Sequence, residues 1–198
     1  MRKAVFIDKD GTLISNVPYN ADPDKIVLEY GALEGLRLLQ EKGYALIVVS
    51  NQAGIAHGYF REEDMLPVIA RVRELLQEGG ITLDGFYYCP HHPAGKITPY
   101  ALRCDCRKPL PGMLLQAAEE MDIFLPGSWM IGDILNDVEA GNRAGCRSVL
   151  LNNGNETVWE TNDYNKPAHI ANDMLEAARL IVKHATAKFE TWNLYIKR

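Results

Sequence analysis

Short apolar runs alternate with segments of helical period, and this alternation constrains the fold more than any other feature of the chain. The runs are KAVFID (3–8), YALIVVS (44–50), GFYYC (85–89), SWMIGD (128–133) and RSVLLN (147–152). They are short, rich in β-branched and aromatic residues and bounded by turn formers, which predicts buried strands. Between them lie helical patterns. ALEGLRLLQEKG (32–43) carries Leu33, Leu36 and either Leu39 or Leu38 at a helical period and stops at Gly43. REEDMLPVIARVRELLQEGG (61–80) begins acidic and ends on a glycine pair, with Pro67 expected near its first turns. PGMLLQAAEEMD (111–122) starts at a proline, and ILNDVEAGNRAG (134–145) ends at a glycine. Strand and helix in alternation predict an α/β fold, a Rossmann-like parallel sheet flanked by helices with right-handed crossovers. Ligands of such sheets sit at the carboxyl ends of the strands.

The remainder is less regular. NQAGIAHGYF (51–60) reads as a glycine-punctuated loop, and NGNETVWETNDYNKP (153–167) as a polar connection. Residues 169–190 read as a short strand and a long helix with Asn172 as its cap, followed by a tail ending in TWNLYIKR. Trp159, Trp192 and Tyr195 are expected to pack, His169 to lie at a strand edge and His184 on a helix surface. With 198 residues, one domain spanning 1–198 is expected, including a C-terminal helix and tail from about 170. The gap between the first strand and the helix at 32 is too short for a large cap domain. The segments 13–30 and 52–60 and the cysteine loop must then cover the site themselves. A net charge of −5 without a basic tract gives no support to nucleic-acid binding. No apolar run spans a bilayer, and MRKAVFIDKD is no signal peptide because its apolar run stops at Asp8. A cytoplasmic monomer is the expectation, with its thiols reduced.

Two strands end in acids. DKDGTL follows the first, placing Asp8 and Asp10 two residues apart, so that in extended chain both point the same way. GDILND ends the fourth, with Asp133 and Asp137. A lone D-x-D-G is usually a turn or a helix cap, but acids converging from two strand ends make a site for a hard cation, and magnesium fits. Phosphoryl transfer would use such residues. Asp8, ionised at neutral pH, is a nucleophile needing no base. A metal ion removes its repulsion from a phosphate dianion. Asp10 serves as acid and then base. Lys108 and Ser50 hold the phosphoryl oxygens.

The loop CPHHPAGKITPYALRCDCRKP (89–109) holds three of the four cysteines and two of the five histidines. A disulfide is disfavoured in a reducing compartment. A catalytic zinc needs an open coordination position, whereas Cys89, Cys104, Cys106 and one histidine fill a tetrahedron, which favours a structural zinc. The chemistry of the ligands does not choose between His91 and His92. Cys146 reads as a buried small apolar residue.

FIDKDGTL, VVSNQ, CRKP and MIGDILNDVEAG, in that order, resemble the four motifs of the haloacid dehalogenase superfamily of phosphatases. The resemblance runs from residue 4 to about 151. It implies Asp8 as nucleophile, Asp10 as acid and base, and Ser50 and Lys108 as phosphoryl stabilisers. Magnesium would bind Asp8, Asp133 and the backbone carbonyl of Asp10, with Asp137 orienting Lys108. Two groups in the superfamily carry a cysteine loop before R-K-P, acting on histidinol phosphate and on heptose bisphosphate. The long insert between CPHHP and CDCRKP, and SNQAGIAHGYF, resemble the heptose group. Its activity would be removal of the 7-phosphate of D-glycero-D-manno-heptose 1,7-bisphosphate, a step toward lipopolysaccharide heptose. The same resemblance implies zinc on Cys89, His91, Cys104 and Cys106, and substrate contacts from Asn16 to Tyr19, Ser50, Asn51, Gln52, Arg107 and Lys108. Two positions depart from the pattern: His57, where arginine is frequent, and Ile134, where lysine or another polar residue is frequent. His57 keeps two readings, a phosphate contact or simple packing, of which packing is preferred.

Overall fold

The computed structural model describes residues 1–196, with side chains to residue 185. Six strands form one parallel sheet: β1 (Lys3–Ile7), β2 (Tyr44–Asn51), β3 (Gly85–Cys89), β4 (Trp129–Gly132), β5 (Arg147–Leu151) and β6 (His169–Ala171), in the order β3-β2-β1-β4-β5-β6. The chain builds outward from β1 to β3, then returns to add β4 on the other side of β1. The strand order therefore reverses between β1 and β4, where doubly wound sheets open a crevice. Both of these strands carry an aspartate just past their carboxyl ends.

Two helical layers cover the sheet, and the period-two alternation of β1 shows why both must. Val5 and Ile7 face one side, in a core with Leu36 and Leu39 of α1 (Ala32–Glu41), Val68, Val72 and Leu76 of α3 (Met65–Glu78), and Ala177 and Ile181 of α6 (Met174–Ile196). Ala4 and Phe6 face the other, against Met113, Leu114 and Ala117 of α4 (Gly112–Met121) and Ala140 and Ala144 of α5 (Leu135–Ala144). Each wholly buried Val, Leu, Ile, Phe or Met among these contributes about 1.5–3 kcal/mol relative to exposure, and each alanine less. The register Val5↔Leu46 and Ile7↔Ile131 aligns the ends of β1, β2 and β4 at one edge.

Several expectations change. The segment read as a loop at 51–60 contains a short helix, α2 (Ala53–His57), closed by Gly58 in the left-handed conformation at φ 76°. Pro67 lies in the first turn of α3, where its missing N–H is not needed. Asp173 rather than Asn172 caps α6: its Oδ1 accepts the N–H of Glu176 at 2.8 Å, while Glu176 reaches back to Asn172. Trp159 is 53% exposed and does not pack. His184 is half-buried against Trp129, ring centroids 5.3 Å apart, instead of lying on the surface. His169 is on the edge strand, stacked on the same indole. The side chains of Trp192 and Tyr195 lie outside the described residues. Cys146 is buried as expected, and burial pushes its thiol up to about 12.

The segment between β1 and α1 forms a flap folded back on itself, with Ser15 N donating to Val27 O and Glu29 N to Leu13 O. This flap, α2 and the cysteine loop surround the carboxyl edge. No inserted domain stands over that edge among the described residues.

Candidate active site

Asp8 follows β1 directly, its N–H bonded to Ile131 O of β4 at 2.9 Å. Asp133 follows β4, and Asp137 lies in the first turn of α5, where its Oδ2 accepts the N–H of Ile134. The glycine before Asp133 allows this approach: a β-carbon on Gly132 would collide with the Asp137 side chain. Asp8, Asp133 and Asp137 are all buried, and they bring carboxylate oxygens within 4.8 Å of one another. Thr12 Oγ1 donates to Asp133 Oδ1 at 3.0 Å.

Lys108 enters from the cysteine loop, 2% exposed. Its ammonium pairs with Asp8, approaches Asp137 Oδ1 at 2.7 Å and donates to Val49 O at 2.9 Å. Asn51 sets this approach, since its carboxamide accepts from Lys108 N and donates to Lys108 O, each at 3.0 Å. Both ends of Asn51 are thus engaged by backbone. Ser50 Oγ is buried and accepts from Gln52 Nε2 at 2.7 Å; the same amide lies 3.1 Å from Asp10 Oδ2. Lys9 binds Asp10 Oδ1 at 2.7 Å.

Electrostatics identify what the pocket lacks. Burial pushes the Asp8 carboxyl well above its ordinary range; Lys108 counters this, while Asp137, Asp133 and Asp10 add to it. Burial, then Asp137, pushes Asp133 up to about 6. Burial opposes the Lys108 charge, but Asp137 and Asp8 outweigh it and hold the ammonium above the usual lysine value. Two ammoniums, Lys108 and Lys9, among the four carboxyls of Asp8, Asp10, Asp133 and Asp137 leave an excess of hard oxygen donors, which suits magnesium.

A cleft of about 170 Å³ is lined by Asp8, Asp10, Asn16, Asn51, Lys108, Asp133, Ile134 and Asn155. A neighbouring cleft of about 320 Å³ runs from Asp10 past Asn16, Tyr19 and Gln52 to Arg107. Together they bring the expected catalytic and substrate residues other than the buried Ser50 onto one edge. Tyr19 adopts φ 54°, a left-handed conformation uncommon outside glycine, with its ring exposed against Tyr59 at 4.6 Å. His57 packs against His92, tilted at 46° with 4.7 Å between ring centroids, and lies near Tyr19 and Tyr59, so it rims the entrance rather than the carboxylates.

The cysteine loop closes as expected. Sγ–Sγ separations are 3.5 Å (Cys89–Cys104), 2.9 Å (Cys89–Cys106) and 3.2 Å (Cys104–Cys106), and His91 Nδ1 lies 3.3 Å from Cys106 Sγ. All four cysteines are unbridged. Zinc–sulfur bonds of about 2.3 Å put tetrahedral sulfurs about 3.8 Å apart, so the cluster is close to the required size. A hydrogen bond with Cys89 and then burial push the Cys106 thiol up, and burial does the same to Cys104, a strain that a bound cation removes. His91, and not His92, points into the cluster.

The HAD-hydrolase-like family model matches residues 105–177. D-glycero-β-D-manno-heptose-1,7-bisphosphate 7-phosphatase of Pasteurella multocida is 44% identical over 76% of this chain and 82% of its own length. The enzyme of that name from Haemophilus influenzae is 43% identical, over 81% of this chain and 87% of its own length. The chain belongs to this family of HAD-like phosphatases. Among solved structures, the family's D,D-heptose 1,7-bisphosphate phosphatase from B. bronchiseptica, complexed with magnesium and phosphate, superposes with a TM-score of 0.79. It is 26% identical and covers 92% of this chain and 99% of its own. A HAD-like protein from Mesorhizobium loti superposes at 0.78 with 34% identity, covering 91% and 87%.

Four site residues have no counterpart in the sequence reading: Lys9, Thr12, Asn155 and Glu156. Lys9 sits between two acids and is 1% exposed, and nothing in a lone lysine signals burial. Asn155 and Glu156 belong to a stretch whose polarity announces only a loop.

Proposed function

We propose that this protein is a magnesium-dependent phosphatase that removes the 7-phosphate of D-glycero-β-D-manno-heptose 1,7-bisphosphate, in the cytoplasmic supply of lipopolysaccharide heptose. The observation that carries the reading is the meeting of Asp8, Asp10, Lys108 and Asp133 at the reversal of strand order, beside a cysteine cluster of zinc-binding size. The family supplies the substrate. All groups invoked come from one chain, which supports action as a monomer.

Asp8 and Asp133, with the backbone carbonyl of Asp10, would hold the magnesium, whose charge offsets the repulsion between Asp8 and a phosphate dianion. An Asp8 oxygen attacks phosphorus, forming an aspartyl phosphate as the bond from phosphorus to the sugar oxygen breaks. Protonated Asp10 delivers its proton to that oxygen, and the heptose monophosphate departs as an alcohol. Asp10, now a carboxylate between Lys9 and Gln52, takes a proton from water as the water attacks phosphorus. Inorganic phosphate leaves and Asp8 is restored. Lys108 and the Ser50 hydroxyl stabilise the phosphoryl oxygens; Asn16, Tyr19, Gln52 and Arg107 line the route to the sugar. Asn51 acts on this substrate through Lys108. Zinc on Cys89, His91, Cys104 and Cys106 would close the loop and fix where Arg107 and Lys108 point.

The test is phosphate release from the heptose 1,7-bisphosphate anomers, fructose 1,6-bisphosphate and histidinol phosphate. Preference for the β-heptose substrate is expected. Faster turnover of histidinol phosphate would move the substrate to the other zinc-loop group. Tight binding without release from any of them would make this a binding protein.

A further inference from the structure

The segment Asn153–Glu156 ties together the two loops that carry the catalytic acids, and the mechanism above makes no use of it. Asn153 Nδ2 donates to Gly11 O at 2.6 Å, anchoring the segment on the turn after Asp10. Glu156 Oε2 accepts the N–H of Leu135 at 2.6 Å, anchoring it on the first residue of α5 after Asp133. Between these anchors the half-buried Asn155 turns into the cleft that holds Asp8, Asp10 and Asp133. Its amide nitrogen and Asp133 Oδ2 converge on one point beside Gly11, where a β-carbon would overlap both. Gly11, at φ 84°, leaves that space open. On the opposite side of the same carboxylate, Thr12 binds Oδ1. The single carboxamide of Asn51 is engaged at both ends by the Lys108 backbone, whereas that of Asn155 is not.

We propose that Asn155 is a positioning residue for the metal-binding carboxylate of Asp133, donating its side-chain N–H to Oδ2 while Thr12 donates to Oδ1. Held at both oxygens, Asp133 keeps one orientation and presents a remaining lone pair to the cation without reorganising. Partners of this kind orient metal ligands, and their loss weakens metal binding. Asn153 and Glu156 keep the carboxamide in place by fixing its segment to both acid-bearing loops. The proposal rests on the reading of Asp133 as a magnesium ligand.

Calorimetric titration of the full-length protein with magnesium chloride, without substrate, tests it through binding alone. Asn155→Ala should weaken magnesium binding by about tenfold, with the melting temperature of the metal-free protein unchanged. Asn155→Leu, which keeps the size of the side chain and removes the N–H, should weaken it equally. Wild-type affinity in both variants overturns the proposal, as does recovery in Asn155→Leu, which would leave Asn155 a filler of space. If the wild type itself takes up no magnesium, the metal reading of Asp133 fails first, and this result is distinct from a wild type and variants that bind alike.

Discussion

Lys108 is an ammonium taken almost entirely out of water, a cost met only because Asp8, Asp137 and the carbonyl of Val49 surround it. Removing one partner of such a cluster leaves like charges buried together. Lys108→Met should therefore destabilise the metal-free protein by about 3–5 kcal/mol in urea unfolding, and abolish turnover. Asp8→Asn relieves repulsion instead of creating it. It should leave the fold at least as stable by thermal melting while eliminating phosphate release; retained activity would place the nucleophile elsewhere. The acids were legible at this scale because D-x-D-G and G-D-x-x-x-D mark strand ends. The clamps on them were not. Thr12 and Asn155 meet the carboxylate of Asp133 through folding, and no local pattern encodes a contact between residues 12 and 133.

The cysteine loop is an element whose closure aims its neighbours. Cys106 precedes Arg107 and Lys108 without a spacer, so displacement of the cluster moves the lysine directly. Zinc is expected at about one per chain, the content of a single four-ligand site. Cys106→Ser should lower kcat/KM by about tenfold or more, as loss of metal-site support does, with magnesium affinity unchanged; a fully active variant would contradict the aiming role. A second fastening holds the loop from outside. Glu62 accepts from Tyr88 OH and Tyr100 OH at 3.2 and 2.6 Å, and Ala56 O accepts from Lys96 N and Ile97 N. The spacing of cysteines was readable because metal geometry restricts it. The short helix α2 was missed because glycine at both ends hides five residues of helix. The α6 cap shifted by one residue because Asn172 and Asp173 are both good caps, and only the N–H of Glu176 chooses.

Across the whole molecule, the site is an excess of negative charge stored at the reversal of a parallel sheet. Asp133, raised to about 6, binds protons more readily folded than unfolded. Its contribution to stability is thus fully present below the unfolded carboxylate value, about 3.9, and is lost as pH rises through about 6. At neutral pH magnesium should restore it. The rise in melting temperature on adding magnesium should be large near pH 7.5 and shrink as pH falls through about 6, because protons then compete for the carboxylates. An equal rise at about pH 5 and pH 7.5 would contradict this origin. The sequence by itself determined the alternation of strand and helix, the acids at two strand ends and the three cysteines of the cluster. Each of these is a local pattern of period, turn or ligand spacing. Only the tertiary structure decided that β4 lies beside β1, that Lys108 is buried between two carboxylates, that His91 rather than His92 faces the sulfurs, and that a polar loop near residue 155 reaches the metal acids. Those facts depend on which distant segments pack together, and burial and pairing energies act through space rather than along the chain.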